Sequence, residues 1–591
     1  PRSDEGDTAF SEDEDSDTPA AKDDKAKTDQ AKTDQAKGDK DKHAKADNTP
    51  PDKTGPISPI RVDLDGMMAR AVEIPVPSAN IAQMDVRDHK VFYLTQPIGL
   101  IEGTLPGEKS ALRVYDLKTR KDKVVASDVD SYSMARDGKT VLIKHDSDYT
   151  VLDAKPDAEK DDDSKHQLDL DHMRLLADPP KEWAEMFKNG WRLERDLFYS
   201  PVMNGVDWQA VHDNYVKLVP LLGSREDLNY LLGQVLGEMS NSHTYVGGGD
   251  DGDPGTRVKP ALLGADWAVD QASGRYRIAA IYPGDNTRED YRSPLTEPGV
   301  DVHAGDYVLA IDGTDLRTPT DPDSLLQLAD PSGDVDLLVS DTPNGPGRHV
   351  TVKPIKAEGG LRERAWIEHN RETVDKLSGG KVGYVYMSDM DQLGLQQFMR
   401  QFYGQLNRQA LIVDDRWNGG GFIAPYPLER LRRELISLDV NREGGVATEP
   451  QEVLNGPKVA LLNHWSASDG DIFPYLFKKY GIGKLIGTRS WGGVRGIRGD
   501  WRMMDGGYVT IPEQALYNTD GTWAVENHGV EPDIVIEDQP AELLAGHDAQ
   551  LEAAVNLMLQ EIANKPAGLP APPPLIPAYP QTGIVAPEPQ K

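Results

Sequence analysis

Cysteine is absent from these 591 residues. That excludes disulfides and thiolate metal sites but leaves the compartment open. A surplus of positive charge is absent too: 65 Lys and Arg stand against 98 Asp and Glu, a formal net charge of -33. Nucleic-acid binding needs a basic footprint, so this balance argues against it and favours solubility. No stretch approaches roughly 18 uncharged apolar residues, and no membrane-spanning helix is expected. Neither an initiator Met nor a signal-like apolar run stands at Pro1, so the chain reads as a fragment or a processed form. No H-E-x-x-H or comparable ligand spacing occurs, which argues against zinc hydrolysis, and neither a metal nor a cofactor is expected.

What is present divides the chain into several domains, as its length requires. Residues 1–58 are acidic and of low complexity, with a quasi-repeat "AKTDQAKTDQAKGDK" and Phe10 as the lone large apolar side chain before residue 57. Such a segment cannot bury enough surface to offset its ordering entropy, and disorder is expected. Over 59–155, short alternating strands such as "VFYLTQ", "ALRVYDLKT" and "TVLIKHD" recur between turns, which suggests β-propeller blades or a sandwich. About two blades are present, too few to close a ring. Residues 156–166 read as a charged linker opening a helical region, 156–250. There Leu228, Leu231, Leu232, Val235, Leu236 and Met239 fall on one face of an amphipathic helix, ending at "SNSHTY". Residues 251–356 return to strands, and "VHAGDYVLAIDGTDL" resembles the second half of a PDZ domain. From 357 to 565 strands alternate with helices, which predicts a parallel α/β layer. A Pro-rich tail, 566–591, is expected to be extended and mobile.

Ligands of an open α/β layer collect at the carboxyl ends of its strands. Two such ends are marked. "NGGGF" places Gly419, Gly420 and Gly421 where backbone N–H groups can approach a ligand, and "NHWSASDGDIFP" crowds Ser466, Ser468, Asp469 and Asp471 at a helix start. Serine and aspartate are preferred N-caps, so capping accounts for that crowding by itself. A nucleophile beside backbone donors accounts for it as well. A serine needs a base, and of 13 histidines three lie near these segments: His243, His464 and His528. His243 follows the amphipathic helix with a hydroxyl on each side, His464 sits at a strand end aimed elsewhere, and His528 in "VENHGV" is the rival base.

"GEMSNSHTYV", "DDRWNGGGF", "SASDGDIFPYLFKKYGIGKLIGTRSWGGVRGI" and "WAVENHGVEPD", in this order, resemble the site segments of the tricorn protease family. The resemblance covers about residues 59 to 560. It implies a propeller fragment, a helical half-domain, a PDZ domain and a crotonase-like α/β catalytic domain. It further implies a serine endopeptidase degrading oligopeptides, with Ser468 as nucleophile, His243 as general base, and Ser242 and Glu526 completing a tetrad. The oxyanion hole falls to the backbone N–H groups of Gly421 and Asp469, while Ser466 and Asp471 serve the turn and cap. Asp439, 18 residues beyond Gly421, stands where the family has a specificity aspartate contributed by a neighbouring subunit, and would favour basic residues. A homohexamer and a cytoplasmic location, or export, are also implied. The related C-terminal processing proteases use a Ser–Lys pair, but Gly493 stands where their lysine would be. An inactive PDZ and propeller scaffold, or a non-peptide acyl hydrolase, are the alternatives.

Overall fold

The computed structural model describes residues 64–98, 107–170, 172–250, 252, 261–327, 333–564 and 569–573. The acidic segment and most of the Pro-rich tail lie outside the described residues. Residues up to Pro75 form a unit of their own, in which Met68–Arg70 make a single 3₁₀ turn. Everything below concerns Val76 onward.

Asn80–Arg87, Lys90–Gln96, Ala111–Asp116 and Lys121–Ser127 form a four-stranded antiparallel meander. Its first hairpin turns at Asp88 and His89, both at positive φ (42° and 61°), the mirror-image turn whose twist suits paired strands. Ser131–Met134, Thr140–His145, Asp148–Asp153 and Lys165–Gln167 form a second meander of four. Both bury apolar faces in one cluster around Phe92, Leu112, Val141 and Leu152. Residues 156–166 are not a free linker. Ala158 is buried in that cluster, the Glu159 carboxylate accepts from Ser127 N–H at 2.8 Å, and Lys165–Gln167 supply the fourth strand. Their charged side chains face water while their backbone closes the sheet edge.

Helices Pro179–Leu197, Trp208–Tyr215 and Arg225–Gly237 build a helical unit around Phe187, Trp191, Leu228, Leu232 and Leu236. The third begins with a reciprocal capping box between Ser224 and Asp227. Residues 261–355 form an antiparallel sheet in which Tyr307–Ile311 pairs back through Asp312-Gly313, at φ 46° and 76°.

A five-stranded parallel sheet holds the site. Its order is Val382–Tyr386, Ala410–Asp414, Lys458–Leu462, Gly483–Gly487 and Ile534–Val535. The first three strands are buried at every position, as a sheet covered on both faces demands. Alternate side chains serve opposite faces. Val385, Leu411, Val413 and Ala460 pack under Phe398, Phe402, Phe473 and Phe477. Tyr384, Ile412, Val459 and Leu461 pack under Val374, Leu551, Val555 and Met558. The open edge of Val382–Tyr386 is sealed by glutamines one helical turn apart: Gln405 and Gln401 exchange hydrogen bonds with the backbone of Tyr384 and Tyr386 at 2.7 to 3.1 Å.

A small sheet joins the two halves that carry the site. Tyr508–Thr510 pairs with Asp500–Arg502 on one side and with Val246–Gly247 on the other. Met503 and Val509 bury themselves in the helical unit's core.

Candidate active site

Strands Ala410–Asp414 and Lys458–Leu462 are parallel neighbours, so the loops leaving their carboxyl ends lie side by side. They are tied together there: Ala467 N–H donates to Asn418 O at 2.8 Å, and Ser466 Oγ donates to Asp415 O at 2.8 Å while accepting from Asn463 N–H. Ser466 therefore serves the turn, as expected. Ser468 then begins helix Asp469–Lys479 at φ 58° and ψ −118°, a conformation a residue with a Cβ adopts only at a cost of about 1–3 kcal/mol. It occupies the N-cap position without making a capping hydrogen bond. Its Oγ instead lies 3.1 Å from His243 Nε2.

His243 arrives from a segment 225 residues upstream. Thr510 holds it there, its Oγ1 donating to His243 O at 2.7 Å and accepting from Tyr245 N–H at 2.8 Å. The Nδ1 edge of the imidazole lies 3.0 Å from Ser242 Oγ, and that hydroxyl donates to Glu526 Oε2 at 3.1 Å. Glu526 is in turn fixed by Ser242 N–H at 3.0 Å and Val494 N–H at 2.7 Å. The tautomer consistent with this chain has Nδ1–H donating to Ser242 and Nε2 accepting from Ser468. Burial lowers the His243 pKa from its ordinary value, and the charge of Glu526 opposes that effect. Burial thus favours the neutral ring, the form that can accept a proton from Ser468.

The glycines are required by close approach. Gly420 stands at φ 96°, where a Cβ would come within 2.6 Å of Ser468 Cβ. Gly421 stands at φ 146°, where a Cβ would meet Met390 O at 2.1 Å. Among the described residues, no hydrogen-bond acceptor is recorded for the N–H of Gly421 or of Asp469. The Asp469 carboxylate turns away from Ser468 to accept from Ala424 N–H at 2.8 Å, and burial pushes its pKa up to about 6.

Asp471 does more than the expected capping, for which its carboxylate takes a backbone hydrogen bond from Ser468. Its carboxylate reaches loop 490–493, accepting from Ser490 Oγ at 2.5 Å, Gly492 N–H at 2.8 Å and Gly493 N–H at 3.3 Å. Of the rival bases, His528 is exposed and faces Glu531 at 3.8 Å. His464 is exposed and tilted against Trp465; contrary to expectation it lines the cavity beside Ser468, but its ring makes no hydrogen bond to that serine. Asp439 lies on the exposed hairpin Ser437–Val440, outside the cavity beside Ser468.

That cavity measures about 490 Å³, with Tyr245, Trp465 and Trp491 among its walls. Two residues had no sequence signal. Thr510 is one. Arg495 is the other: it lies buried 4.0 Å from Glu526, between the rings of Tyr199 and Trp523 at 4.4 and 5.0 Å. No spacing rule announces a cation brought by packing. Among the described residues no group of three or more His, Asp or Glu is disposed to hold a metal ion.

Comparison with known proteins gives three family matches in chain order: the tricorn protease C1 domain over residues 179–237, the tricorn protease PDZ domain over 261–357, and peptidase family S41 over 381–536. Tricorn protease homolog 1 of Streptomyces coelicolor is 35% identical over 518 residues, covering 86% of this chain and 48% of that protein. The tricorn protease of Thermoplasma acidophilum is 32% identical over 509 residues, covering 85% and 46%. A crystal structure of the tricorn protease superposes with a TM-score of 0.76 at 31% identity, over 86% of this chain and 49% of that one. The chain thus spans about half the length of each of these relatives.

Proposed function

The chain belongs to the tricorn protease family, and on that premise we propose that it is a serine endopeptidase acting on oligopeptides. The observation that carries this reading is the 3.1 Å contact between Ser468 Oγ and His243 Nε2, made across two segments far apart in sequence.

As Ser468 Oγ bonds to the scissile carbonyl carbon, its proton passes to His243 Nε2. Ser242 and Glu526 act through the ring, holding Nδ1–H and stabilising the imidazolium that forms. The carbonyl oxygen becomes an oxyanion, received by the N–H groups of Gly421 and Asp469 at the positive end of helix Asp469–Lys479. Collapse expels the amine, which takes the proton from Nε2. Water then attacks the acyl-enzyme, with the same imidazole as base.

The wider reading follows the family. Residues 59–155, extended by the strand at Lys165–Gln167, are blades of a propeller, the residues after that strand up to 250 are a helical half of the catalytic core, and 251–356 are a PDZ domain. The α/β layer, 357–565, is crotonase-like and completes the site. The working form is a homohexamer in the cytoplasm. Asp439, exposed on its hairpin, reaches substrate only from a neighbouring chain in such an assembly.

Fluorophosphonate labelling with mass-spectrometric location of the adduct, alongside turnover of quenched-fluorescence peptides, tests the assignment. Adduct on Ser468 and cleavage abolished in Ser468→Ala are expected. Labelling without peptide cleavage points instead to another acyl substrate, and absence of both sinks the enzyme reading. Light scattering of the assembled protein tests the hexamer.

A further inference from the structure

The cavity beside Ser468 has a character opposite to that of the molecule. The chain carries 98 acidic side chains and a net charge of -33, yet none of the residues lining this cavity is an Asp or Glu. Its charged member is Arg489. Its walls are aromatic: Trp465, Trp491 and Tyr245 remain 60%, 44% and 46% exposed, unusual for rings of this size unless something covers them. Trp491 and Tyr245 also flank the imidazole edge-on, at 5.5 and 5.9 Å from the His243 ring, so whatever they hold lies beside the reacting atoms.

Arg489 is available. Its recorded ion-pair partner is Glu531 at 4.0 Å, and both side chains are more than half exposed. A pair this long and this wet is worth little. Glu531 is shared, moreover, with His528 at 3.8 Å. A carboxylate brought into the cavity can take two parallel N–H bonds from the guanidinium, with its methylenes against the tryptophan faces, a stronger arrangement than the one it replaces. The surface charge of the molecule opposes such a ligand, but at physiological ionic strength exposed charges beyond about 8 Å are largely screened.

We propose that Arg489 makes this cavity selective for a substrate side chain bearing a carboxylate, Asp or Glu, next to the scissile bond. The inference rests on the peptidase reading for its use but not for its measurement. It is compatible with a basic preference at another subsite supplied by Asp439 of a neighbouring chain.

The test uses N-acetylated, C-terminally amidated fluorescent peptides of Ala and Leu in which Glu, Gln or Lys is scanned through each position. Binding is measured to Ser468→Ala, so no cleavage is needed. At one position or more, Glu should bind about tenfold more tightly than Gln, the gain expected of one good charge pair at a partly exposed site. Adding Arg489→Gln should bring that ratio to about one, and Arg489→Lys should keep part of it. Because each ratio is taken within one variant, a general loss of folding or affinity does not imitate the result. A ratio near one in Ser468→Ala, a ratio that survives Arg489→Gln, or failure to bind any of the peptides overturns the proposal. So does a preference seen only in free-acid versions, since the group recognised would then be the chain terminus. Turnover of the same peptides by the unaltered chain reads the peptidase assignment separately: selective binding without cleavage sinks that assignment and leaves the cavity's selectivity standing, and cleavage without selectivity does the reverse.

Discussion

Ser468 holds its strained φ of 58° because three neighbours define the turn: Asn418 O receives Ala467 N–H, Ser466 Oγ bridges the two loops, and Gly420 leaves room for the Cβ. Such strain is retained where the surroundings over-determine it. Replacing Ser468 by Ala, or His243 by Ala, should lower kcat on the order of 10⁴-fold, and the double variant should lose little more, since members of one unit are not additive. Ser242→Ala and Glu526→Gln should cost less, about 10- to 10³-fold, because they orient the ring without touching substrate. Steady-state kinetics on one peptide checks all four. The direction of the pH dependence follows from burial. With its pKa lowered, His243 binds fewer protons folded than unfolded between its folded value and about 6.5. The kcat/KM should therefore rise with pH through a midpoint below 6.5 and be flat by neutrality. The stability gained at His243 over that range is opposed by Asp469 and Asp471, whose carboxyls are raised to about 6 and whose ionisation destabilises the fold. A profile of kcat/KM whose acid limb titrates above 6.5 contradicts this assignment of the base.

At the scale of elements, the proposed oxyanion hole lies where two loop-to-helix transitions press together without space for a methyl group. Gly420→Ala should drive a Cβ against Ser468 and cost about 1–3 kcal/mol of stability, with fluorophosphonate labelling lost beyond what that destabilisation explains. Thermal unfolding and labelling rate, measured on the same sample, separate the two effects. Asp471 links helix Asp469–Lys479 to loop 490–493, and burial pushes its pKa up to about 6. Asp471→Ala leaves Ser490 Oγ and two backbone N–H groups without their acceptor, for a loss of about 2–4 kcal/mol seen as a lowered Tm. Trp491, which flanks His243, belongs to the same loop, so this variant should also raise KM.

Across the whole molecule, Ser468 and His243 are brought together from two cores, and one small sheet runs along the seam between them. Val246–Gly247 pairs with Tyr508–Thr510, and the Thr510 hydroxyl bridges the backbone on both sides of residue 244. Thr510→Val keeps the shape and removes both bonds. We expect a fall of about 10- to 100-fold in kcat with KM little changed, and a stability loss of about 1–2 kcal/mol. A loss confined to KM would show that the seam does not position the base. Arg495 tests the same seam from the other side. It ties Tyr199 of the helical unit and Trp523 of the α/β layer to Glu526.

The sequence by itself determined what is decided within a few residues. Asp312-Gly313 was legible as a hairpin because only a mirror-image turn suits two strands joined by that pair, and both residues adopt positive φ. The amphipathic face from Leu228 to Leu236 specified the helix Arg225–Gly237, and "KVALL" and "ALIVD" were legible as buried strands. Ser468 stood out from Ser466 only through the family resemblance of its segment, because capping accounts equally well for a serine at a helix start. Tertiary structure decided the rest. Three histidines lay near the marked segments, and packing across 225 residues brought His243 to Ser468. Glu526 meets Ser242 across 284 residues for the same reason. Asp471 was legible as a cap because capping is the nearest bond a helix-start aspartate can make, but its further donors come from a loop 19 residues on, which no local spacing announces. The charged run at 156–166 looked unstructured because hydropathy reads side chains, whereas its backbone supplies what the sheet edge needed. Local chemistry selects conformation; which of several equivalent partners a side chain meets is settled only when distant surfaces are buried together.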